Sequence, residues 1–321
     1  MTESLITTEV DRAASTLREG RLVAFATETV YGLGANALDE AAVARVFEVK
    51  NRPHFDPLIV HVAADDWLNR LVTDFPETAR QLADAFWPGP LTMVLPKADC
   101  VPDLVTSGLP SVAVRMPSHP QARELLAKAD VPVAAPSANP FGQLSPTSAS
   151  HVAETLGDRI ELILDGGDCT VGVESTVLLM TGDRPCLLRH GGITQEEIEA
   201  VIGPVATRES AKNDVAAPSP GMLPQHYAPR TPLVMRSEVT DGELAGRRVG
   251  VISLRSETTS FDPAAVETLT SDGNLRDATA GFFAAMRRLD QASLDLIVAW
   301  PFPDEGLGRA LNDRLGRACH S

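Results

Sequence analysis

The sequence predicts an α/β protein with two domains. Short apolar runs alternate with segments of helical spacing up to about residue 204, which is typical of strands alternating with helices. A proline-rich, mostly polar stretch over residues 205–231 interrupts this alternation, and a second α/β pattern begins after it. At 321 residues the chain is long enough for two hydrophobic cores. We therefore predict domains at residues 1–204 and 232–321, joined by a linker over residues 205–231.

Residues 22–62 organise the predicted first domain. Residues 22–26 form an apolar run that indicates a buried strand, and residues 27–34 indicate a polar turn punctuated by glycines. A helix is predicted between about residues 39 and 51, and residues 58–62 predict another strand. Together these segments predict a strand–helix–strand unit.

The ends of this helix are set by particular side chains. Asp39 can cap its first turn, and Pro53 makes it stop near Asn51 because proline disfavours helical geometry in the residue before it. Lys50 and Arg52 therefore lie together where the helix ends, with no adjacent carboxylate in sequence. A lysine here can simply balance the negative end of the helix dipole, or the two cations can bind an anion.

The remaining elements follow the same alternation of patterns. Strands are predicted at residues 91–95, 112–117, 131–135, 160–164, 249–253 and 296–300. Residues 172–177 indicate a glycine turn that enters a strand, and residues 187–192 indicate a short strand that ends in a glycine turn. Helices are predicted at residues 5–19, 65–86 with a break at Pro76, from Ser118 as a possible cap, 145–156, 194–202, 278–289 and 307–318. Arg115 lies within an apolar strand, where a cation needs a partner or a bound anion.

One glycine motif points to a different function. Residues 32–37 match the G-x-G-x-x-A dinucleotide fingerprint between a strand and a helix. Five residues separate the strand from the first glycine, however, and Asp65 follows Gly32 at more than the usual spacing of about 20 residues. The motif is therefore weak on its own.

Composition excludes several classes of protein. No apolar run approaches the ~20 residues of a membrane span, and the N-terminus lacks the features of a signal peptide, so we expect a cytoplasmic protein. The four cysteines and seven histidines show neither a disulfide framework nor metal-ligand spacing. Residues 1–204 contain 15 Lys and Arg against 28 Asp and Glu, a net charge of −13, which disfavours strong direct binding of nucleic acid.

The predicted linker carries more than linker residues. Its second half, residues 218–229, contains Met222, Leu223, His226 and Tyr227 among the prolines. A disordered linker rarely carries these side chains together, so we expect this part to dock on a folded surface.

Five motifs in order give the chain a specific resemblance. The chain resembles the Sua5/YrdC/YciO family of L-threonylcarbamoyladenylate synthases, in the two-domain Sua5 form. The motifs lie at residues 27–33, 50–53, 136–139, 174–177 and 189. The resemblance implies a YrdC-like domain over residues 1–204, with a twisted mixed sheet flanked by helices. It also implies a linker that docks over the active site and a smaller Rossmann-like Sua5 domain over residues 232–321.

The resemblance also implies a reaction. L-Threonine, bicarbonate and ATP, with Mg²⁺ held mainly by the phosphates rather than by protein ligands, would give threonylcarbamoyl-AMP and pyrophosphate. The product would pass to a separate tRNA threonylcarbamoyl transferase complex that makes t6A at position 37 of tRNA. Adenylyl transfer of this kind needs positioning and charge neutralisation rather than a nucleophile triad.

Family contacts transfer to this chain position by position. Lys50 and Arg52 are the expected catalytic cations. The expected threonine contacts are Thr29, His61, Arg115, Ala135 and Ser175. The expected ATP contacts are Lys50, Arg52, Asp56, Ser111, Ser137, Asn139, Ser145, Arg189 and Tyr227.

The chain departs from the family pattern at three positions. Ala26 replaces a usual proline, which alters stiffness more than chemistry. Asn51 replaces the usual glycine between Lys50 and Arg52. Asp56 stands where asparagine is common, and its carboxylate would repel a triphosphate unless a cation bridges them. Asp56 is therefore the least secure of the transferred contacts.

Two alternatives remain beside the synthase. The fingerprint at Gly32 favours a dinucleotide-dependent oxidoreductase, although the long gap before it and the cations at Lys50 and Arg52 disfavour this function. The second alternative is an RNA-binding regulator without catalysis, which the acidic first half disfavours.

Overall fold

The computed structural model describes residues 5–182, 184–207 and 227–319. Within these residues the chain forms two β-sheets with helices packed against them. The strands of the first sheet are β1 Ile6–Thr7, β2 Val23–Phe25, β3 Gly32–Asn36, β4 Ile59–His61, β5 Leu91–Pro96, β6 Ser111–Arg115, β7 Val133–Ala134, β8 Leu162–Leu164, β9 Thr176–Leu179, β10 Cys186–Arg189 and β11 Ala206–Thr207. The helices of this part are α1 Val10–Arg18, α2 Glu40–Lys50, α3 Asp65–Leu71, α4 Glu77–Phe86, α5 Asp103–Thr106, α6 Pro120–Ala129, α7 Ala149–Leu156 and α8 Gln195–Ile202.

The first sheet is mixed. Its spatial order is β1-β8-β2-β3-β7-β4-β6-β5-β9-β10-β11. Strand β4 pairs parallel to β6 and antiparallel to β7, whereas β5 pairs antiparallel to β6 and parallel to β9. The central strands are buried on both faces, as the apolar runs predicted. Helices α2, α3, α4 and α8 pack on one face, whereas the apolar cluster on the other face, which includes Ile59, Val94 and Ala113, contains only strand residues among those that the structure describes.

The second sheet is smaller and parallel. It contains β12 Leu233–Met235, β13 Val249–Ser253, β14 Ala265–Thr268 and β15 Leu296–Ala299 in the order β12-β15-β13-β14. Its helices are α9 Asp241–Leu244, α10 Leu275–Gln291 and α11 Leu307–Cys319. The predicted fold class, a mixed α/β sheet with a smaller α/β sheet after it, is confirmed. The domain limits at residues 204 and 232 stay predictions.

The prediction of a glycine turn over residues 27–34 is wrong in its second half. Residues 32–36 form β3, which pairs antiparallel with β2. A Cβ on Gly34 would lie 2.8 Å from the Phe25 ring and 2.9 Å from Val133, so glycine is needed for close packing inside a strand. A dinucleotide fingerprint needs its glycines in a turn that opens a helix. The dinucleotide interpretation is therefore wrong.

The predicted strand–helix–strand unit omits strand β3, which lies between β2 and α2 in the chain. Strands β3 and β7 lie between β2 and β4 in the sheet. A strand inserted after β2 changes the direction in which the chain enters α2.

Three predicted helix starts needed correction. Helix α1 begins at Val10, since Ile6 and Thr7 pair with β8. Helix α6 follows His119 without a side-chain cap, so Ser118 does not cap it. Helix α7 is capped by Ser148, whose hydroxyl accepts from the His151 amide, and not by Ser145.

The beginning of the predicted linker belongs to the first sheet. Strand β11 pairs in parallel with β10. Most of the linker, including Met222, Leu223 and His226, lies outside the described residues, so its docking stays a prediction there. Tyr227 is described, and it is buried beside Phe283 of α10, with ring centroids 5.7 Å apart.

The two sheets share a packed boundary. Val30, Leu144 and Val173 from the first part belong to the same apolar cluster as the buried face of α10. The backbone approaches α10 closely at Gly172, where a Cβ would lie 2.5 Å from the Cα of Ala280. Gly172 has φ +77°, a left-handed conformation that favours glycine. This approach fixes the loop that leads into β9.

Candidate active site

A cavity lies where several chain segments of the first sheet converge. The loops after β2 and β7, the loop before β9, and the ends of β4, β6 and β10 surround it, and Tyr227 closes one side. The predicted site residues that line it are Thr29, Arg52, His61, Arg115, Ala135, Ser137, Ser175, Arg189 and Tyr227. Segments that are far apart in sequence thus place most of the predicted contacts around one space.

Arg115 is held by a buried carboxylate. Its Nη2 lies 2.6 Å from Oε1 of Glu28, and both side chains are buried. Its Nη1 donates to Oγ1 of Thr29 at 2.9 Å, and its Nε donates to the carbonyl of Gly89 at 3.2 Å. The other oxygen of Glu28 accepts from the Ser118 amide. The partner that a cation in an apolar strand requires is therefore Glu28, and the pair fixes the Arg115 guanidinium beside Thr29 at the cavity wall.

His61 faces the same side of the cavity. It lies in register with Arg115 on the neighbouring strand, and its ring meets the Phe25 ring edge-on at 6.2 Å between centroids. Burial, and secondly the charge of Arg115, lower the pKa of His61 to about 3. Its imidazole is therefore neutral at neutral pH and offers hydrogen bonds without charge.

Arg52 is paired with Asp56, the residue that departs from the family pattern. Nη2 of Arg52 lies 2.8 Å from Oδ2 of Asp56, with both side chains buried. The same guanidinium donates to the carbonyls of Asp56 at 3.0 Å and Pro57 at 2.9 Å. The carboxylate that would repel a triphosphate is thus compensated by its neighbouring cation.

Lys50 lies behind the cavity wall and contacts the turn that forms part of it. The cavity wall formed by the described residues does not include Lys50, which is 1% exposed. Its Nζ donates to the carbonyls of Ser137, at 2.5 Å, and Asn139. Burial, and secondly the charge of Arg52, hold the pKa of Lys50 well below its usual value. Lys50 therefore shapes the turn after β7, and a direct contact of Lys50 with ATP stays a prediction.

Arg189 and Ser175 form one unit. Nε and Nη2 of Arg189 donate to the carbonyl of Ser175 at 3.1 and 2.9 Å, and Nη2 also lies 3.2 Å from its hydroxyl. That hydroxyl is 2.8 Å from Oγ1 of Thr92. These bonds hold the predicted threonine contact Ser175 against the predicted ATP contact Arg189.

Ser145 is linked through Glu174 to an arginine in the second part of the chain. Its hydroxyl donates to Oε1 of Glu174 at 2.5 Å, and Glu174 lines the cavity. Oε2 of the same carboxylate accepts from Nε of Arg314 at 3.0 Å. Arg314 lies on α11, and its guanidinium carbon is 5.4 Å from the centre of the Tyr227 ring.

Five predicted ATP contacts are not part of this cavity wall: Lys50, Asp56 and Ser145, described above, and Ser111 and Asn139. Ser111 begins β6 and is half-buried. The Asn139 side chain donates to the carbonyls of Pro140 and Gln143, both at 2.9 Å, and so braces the turn that contains it. A direct contact of any of the five with ATP stays a prediction.

Comparison with known proteins decides the family. The Sua5/YciO/YrdC family model, described as telomere recombination, matches residues 15–191. A second model, described as the C-terminal domain of threonylcarbamoyl-AMP synthase, matches residues 193–319. The chain belongs to the Sua5/YciO/YrdC family. It carries both parts of the Sua5 type, so the predicted resemblance is confirmed.

Relatives of Sua5 type match nearly the whole chain. Threonylcarbamoyl-AMP synthase of Bacillus subtilis is 44% identical, with 97% of this chain and 92% of that protein covered. The Pyrococcus abyssi protein of the same name is 46% identical, with coverage of 95% and 92%. A crystal structure of P. abyssi Sua5 complexed with L-threonine superposes with a TM-score of 0.89 at 45% identity, covering 97% of this chain and 94% of that one.

The structure shows three residues at the site, Glu28, Glu174 and Arg314, for which no role was predicted from the sequence. Glu28 and Glu174 lie inside recognised motifs but received no predicted role, although a buried cation such as Arg115 signals a nearby carboxylate. Arg314 lies on the apolar face of α11, together with Leu311, Leu315 and Ala318 at helical spacing. An arginine among apolar residues at that spacing is the signal that could have identified it.

Two further properties concern membranes and metals. In the described part of the chain, no helix combines the length and the apolar character that a bilayer span requires. Among the described residues, no three Cys, His, Asp or Glu side chains are grouped so that they could hold a metal ion.

Proposed function

We propose that the chain is a threonylcarbamoyl-AMP synthase, a nucleotidyltransferase that converts L-threonine, bicarbonate and ATP into threonylcarbamoyl-AMP, pyrophosphate and water. The observation that carries this proposal is a cavity lined by Arg52, Arg115 and Arg189, each oriented by protein acceptors. Arginines held in this way bind carboxylate and phosphate groups with little loss of side-chain freedom. Full-length similarity to proteins of that name supports the choice of reaction.

The threonine subsite would lie on the side of Arg115. The guanidinium would bind the substrate carboxylate, while the hydroxyls of Thr29 and Ser175 and the backbone of Ala135 would contact the remaining polar groups. Neutral His61 would contact threonine without adding a second charge beside Arg115. The relative that was crystallised with L-threonine supports an amino-acid subsite in a chain of this fold.

The reaction needs two bond-forming steps. Bicarbonate first loses water as the threonine amine, after releasing a proton, forms an N–C bond and yields the carbamate. A carbamate oxygen then attacks the α-phosphorus of ATP, and the bond from that phosphorus to the bridging oxygen of pyrophosphate breaks. The protein's contribution is to align the carbamate with the phosphorus and to neutralise charge in a buried site.

The ATP subsite would lie on the side of Arg52, Arg189 and Tyr227. Arg52 and Arg189 would neutralise phosphate charge, and the hydroxyls of Ser137 and Ser145 would orient the nucleotide. Lys50 would act by holding the turn that carries Ser137.

Mg²⁺ would enter with ATP, and its ligands would be mainly phosphate oxygens. Glu28, Asp56 and Glu174, the carboxylates at or behind the cavity wall, are each paired with an arginine, which fits this arrangement. The product, a reactive mixed anhydride, would be consumed by a separate transferase that acts on tRNA.

The test is pyrophosphate release from ATP and Mg²⁺, with threonine and bicarbonate each omitted in turn, and the adenylate product identified by mass. Release should require both substrates. Arg52→Gln should lower the turnover rate by about 100-fold, because it removes a charge that neutralises the transition state. Arg45→Gln is the matched control on α2, where Arg45 pairs with Glu161 on the surface. Release that does not depend on threonine would contradict the proposed substrate.

A further inference from the structure

Arg314 has an unusual position for a residue of the second part of the chain. It lies on α11, packed with the second sheet, yet it is 0% exposed and its guanidinium reaches the first part. Nε donates to Oε2 of Glu174 at 3.0 Å, and Nη1 donates to the carbonyl of His190 at 2.7 Å. Nη1 also lies 2.8 Å from its neighbour Asp313. A buried arginine held by bonds on both sides of a domain boundary is fixed in one orientation.

Glu174 connects Arg314 to the cavity. One carboxylate oxygen accepts from Arg314, and the other accepts from the hydroxyl of Ser145. Glu174 itself lines the cavity and precedes Ser175, to which Arg189 is bonded. Arg314 also lies over the ring of Tyr227, at 5.4 Å from its centre. Three expected ATP contacts, Ser145, Arg189 and Tyr227, are therefore next to this one pair.

Charge explains why Glu174 needs Arg314. An uncompensated carboxylate at the cavity wall would repel the phosphates of ATP, and the effect is large because the group is buried. The threonine side has its own pair, Arg115 with Glu28, which lies within the first part of the chain. Loss of Arg314 should therefore act mainly on the nucleotide side and leave Arg115, Glu28 and Thr29 in place.

We propose that Arg314 is a positioning residue through which the second domain completes the ATP subsite: it neutralises Glu174 and aims that carboxylate at Ser145. Nucleotide affinity thus depends on the docking of α11 against the first domain. This inference rests on the proposed function and adds to it a role for the second domain.

The experiment compares Arg314→Met with Arg309→Met in the full chain. Arg309 lies on the same helix and also pairs across the boundary, with Glu196 at 2.6 Å, but that pair is partly exposed and neither residue lines the cavity. We expect Arg314→Met to raise the KM for ATP by about tenfold or more, with the KM for threonine changed less than about twofold. Arg309→Met should leave both constants unchanged. Binding of ATP and of L-threonine is also measured separately by calorimetry.

Two further variants separate positioning from simple stability. Glu174→Gln added to Arg314→Met should recover much of the lost ATP affinity, because it removes the uncompensated charge. Arg314→Lys keeps the charge without the fork and should give an intermediate KM for ATP; it replaces Arg314→Met if that variant does not fold by circular dichroism. Equal losses of ATP and threonine affinity, or the same loss in Arg309→Met, would overturn the inference. A wild-type chain that binds ATP but releases no pyrophosphate would instead contradict the proposed function.

Discussion

Two buried arginine–glutamate pairs flank the candidate site, and they are held in different ways. Arg115 and Glu28 both belong to the first part of the chain, where β6 and the loop after β2 position them. Glu174 belongs to the loop before β9, whereas Arg314 comes from α11 beside the second sheet. The first pair therefore lies within one part of the chain, and the second pair joins the two parts.

The two pairs are fixed by different kinds of contact. A sheet fixes Arg115 through the backbone of its own strand and of its parallel neighbour β4. Glu174 is fixed by a side chain 140 residues away in sequence. The expected threonine contacts Thr29 and His61 lie next to the first pair. The expected ATP contacts Ser145, Arg189 and Tyr227 lie next to the second pair, together with the threonine contact Ser175. We therefore expect threonine binding to be less sensitive than ATP binding to the boundary between the two parts.

The largest effect should come from breaking the pair within the first domain. Arg115→Met leaves the Glu28 carboxylate buried without its cation, which typically costs about 3–5 kcal/mol of the free energy of unfolding. Urea denaturation measures this loss, and calorimetry should show that threonine binding is lost as well. Arg123→Met, at an exposed position of α6, is the control and should cost less than about 0.5 kcal/mol.

A double variant sharpens the same test. Glu28→Gln added to Arg115→Met should recover part of the stability, because a neutral amide is less costly to bury than an unpaired carboxylate. If Arg115→Met lowers the free energy of unfolding by less than about 1 kcal/mol, the Glu28 carboxylate is not left buried and unpaired in that variant. The comparison between the two pairs would then fail.

The next effect should come from disturbing the domain boundary without touching a charge. Gly172→Ala places a methyl group 2.5 Å from the Cα of Ala280 and closer still to the carbonyl of Thr279, so α10 must move away. Gly108→Ala is the matched control, since Gly108 has the same φ of +77° and open space at its Cβ position. Each change should cost about 1–2 kcal/mol through backbone conformation, and Gly172→Ala about 1–3 kcal/mol more through overpacking.

The functional readout of this variant is the KM for ATP. Because Gly172 precedes Glu174 by two residues, moving α10 away should weaken the ion pair of Glu174 with Arg314 and raise the KM for ATP more than that for threonine. Equal stability and equal kinetics in the two glycine variants would mean that the boundary can open at Gly172 without cost.

Much of the fold could be predicted because its signals are local. Asp39 caps α2, its carboxylate accepting from the amides of Ala41 and Ala42, and Asn51 ends that helix in a left-handed conformation. Strand β3 was missed because its residues, Gly-Leu-Gly-Ala-Asn, have low strand propensity. They form a strand because Phe25 and Val133 need the space that Gly34 leaves, and that contact is not local.

The site shows the same limit. The family resemblance predicted Arg115, Ser175 and Arg189 as site residues, and the structure places them around one cavity, since each lies at or beside a strand end of the same sheet. The roles of Lys50 and Arg314 depend on contacts with residues about 90 and 140 positions away. No local pattern predicts such pairs, because the sequence gives the type of partner that a buried charge needs but not its position.

The smallest of the expected effects concerns His61 beside Arg115, and it appears as a pH dependence. Burial and Arg115 lower the pKa of His61 from 6.5 to about 3, so below pH 6.5 the unfolded chain takes up a proton that the native chain does not. The contribution of neutral His61 to the free energy of unfolding is therefore fully present above pH 6.5, and it is lost progressively as the pH falls towards 3. At pH 5 the loss relative to neutral pH should be about 2 kcal/mol.

The measurement is urea denaturation at pH 7.5 and pH 5 for the wild type, His61→Gln and His61→Asn. Both variants lack the titrating ring, so each should lose about 2 kcal/mol less than the wild type between the two pH values, whatever its stability at pH 7.5. Two non-titrating side chains of different size separate the effect of the proton from that of packing. A change in packing shifts the free energy of unfolding equally at both pH values. A wild-type pH dependence that survives in both variants would mean that His61 is protonated in the native chain at pH 5, and Arg115 would then share its side of the cavity with a second cation.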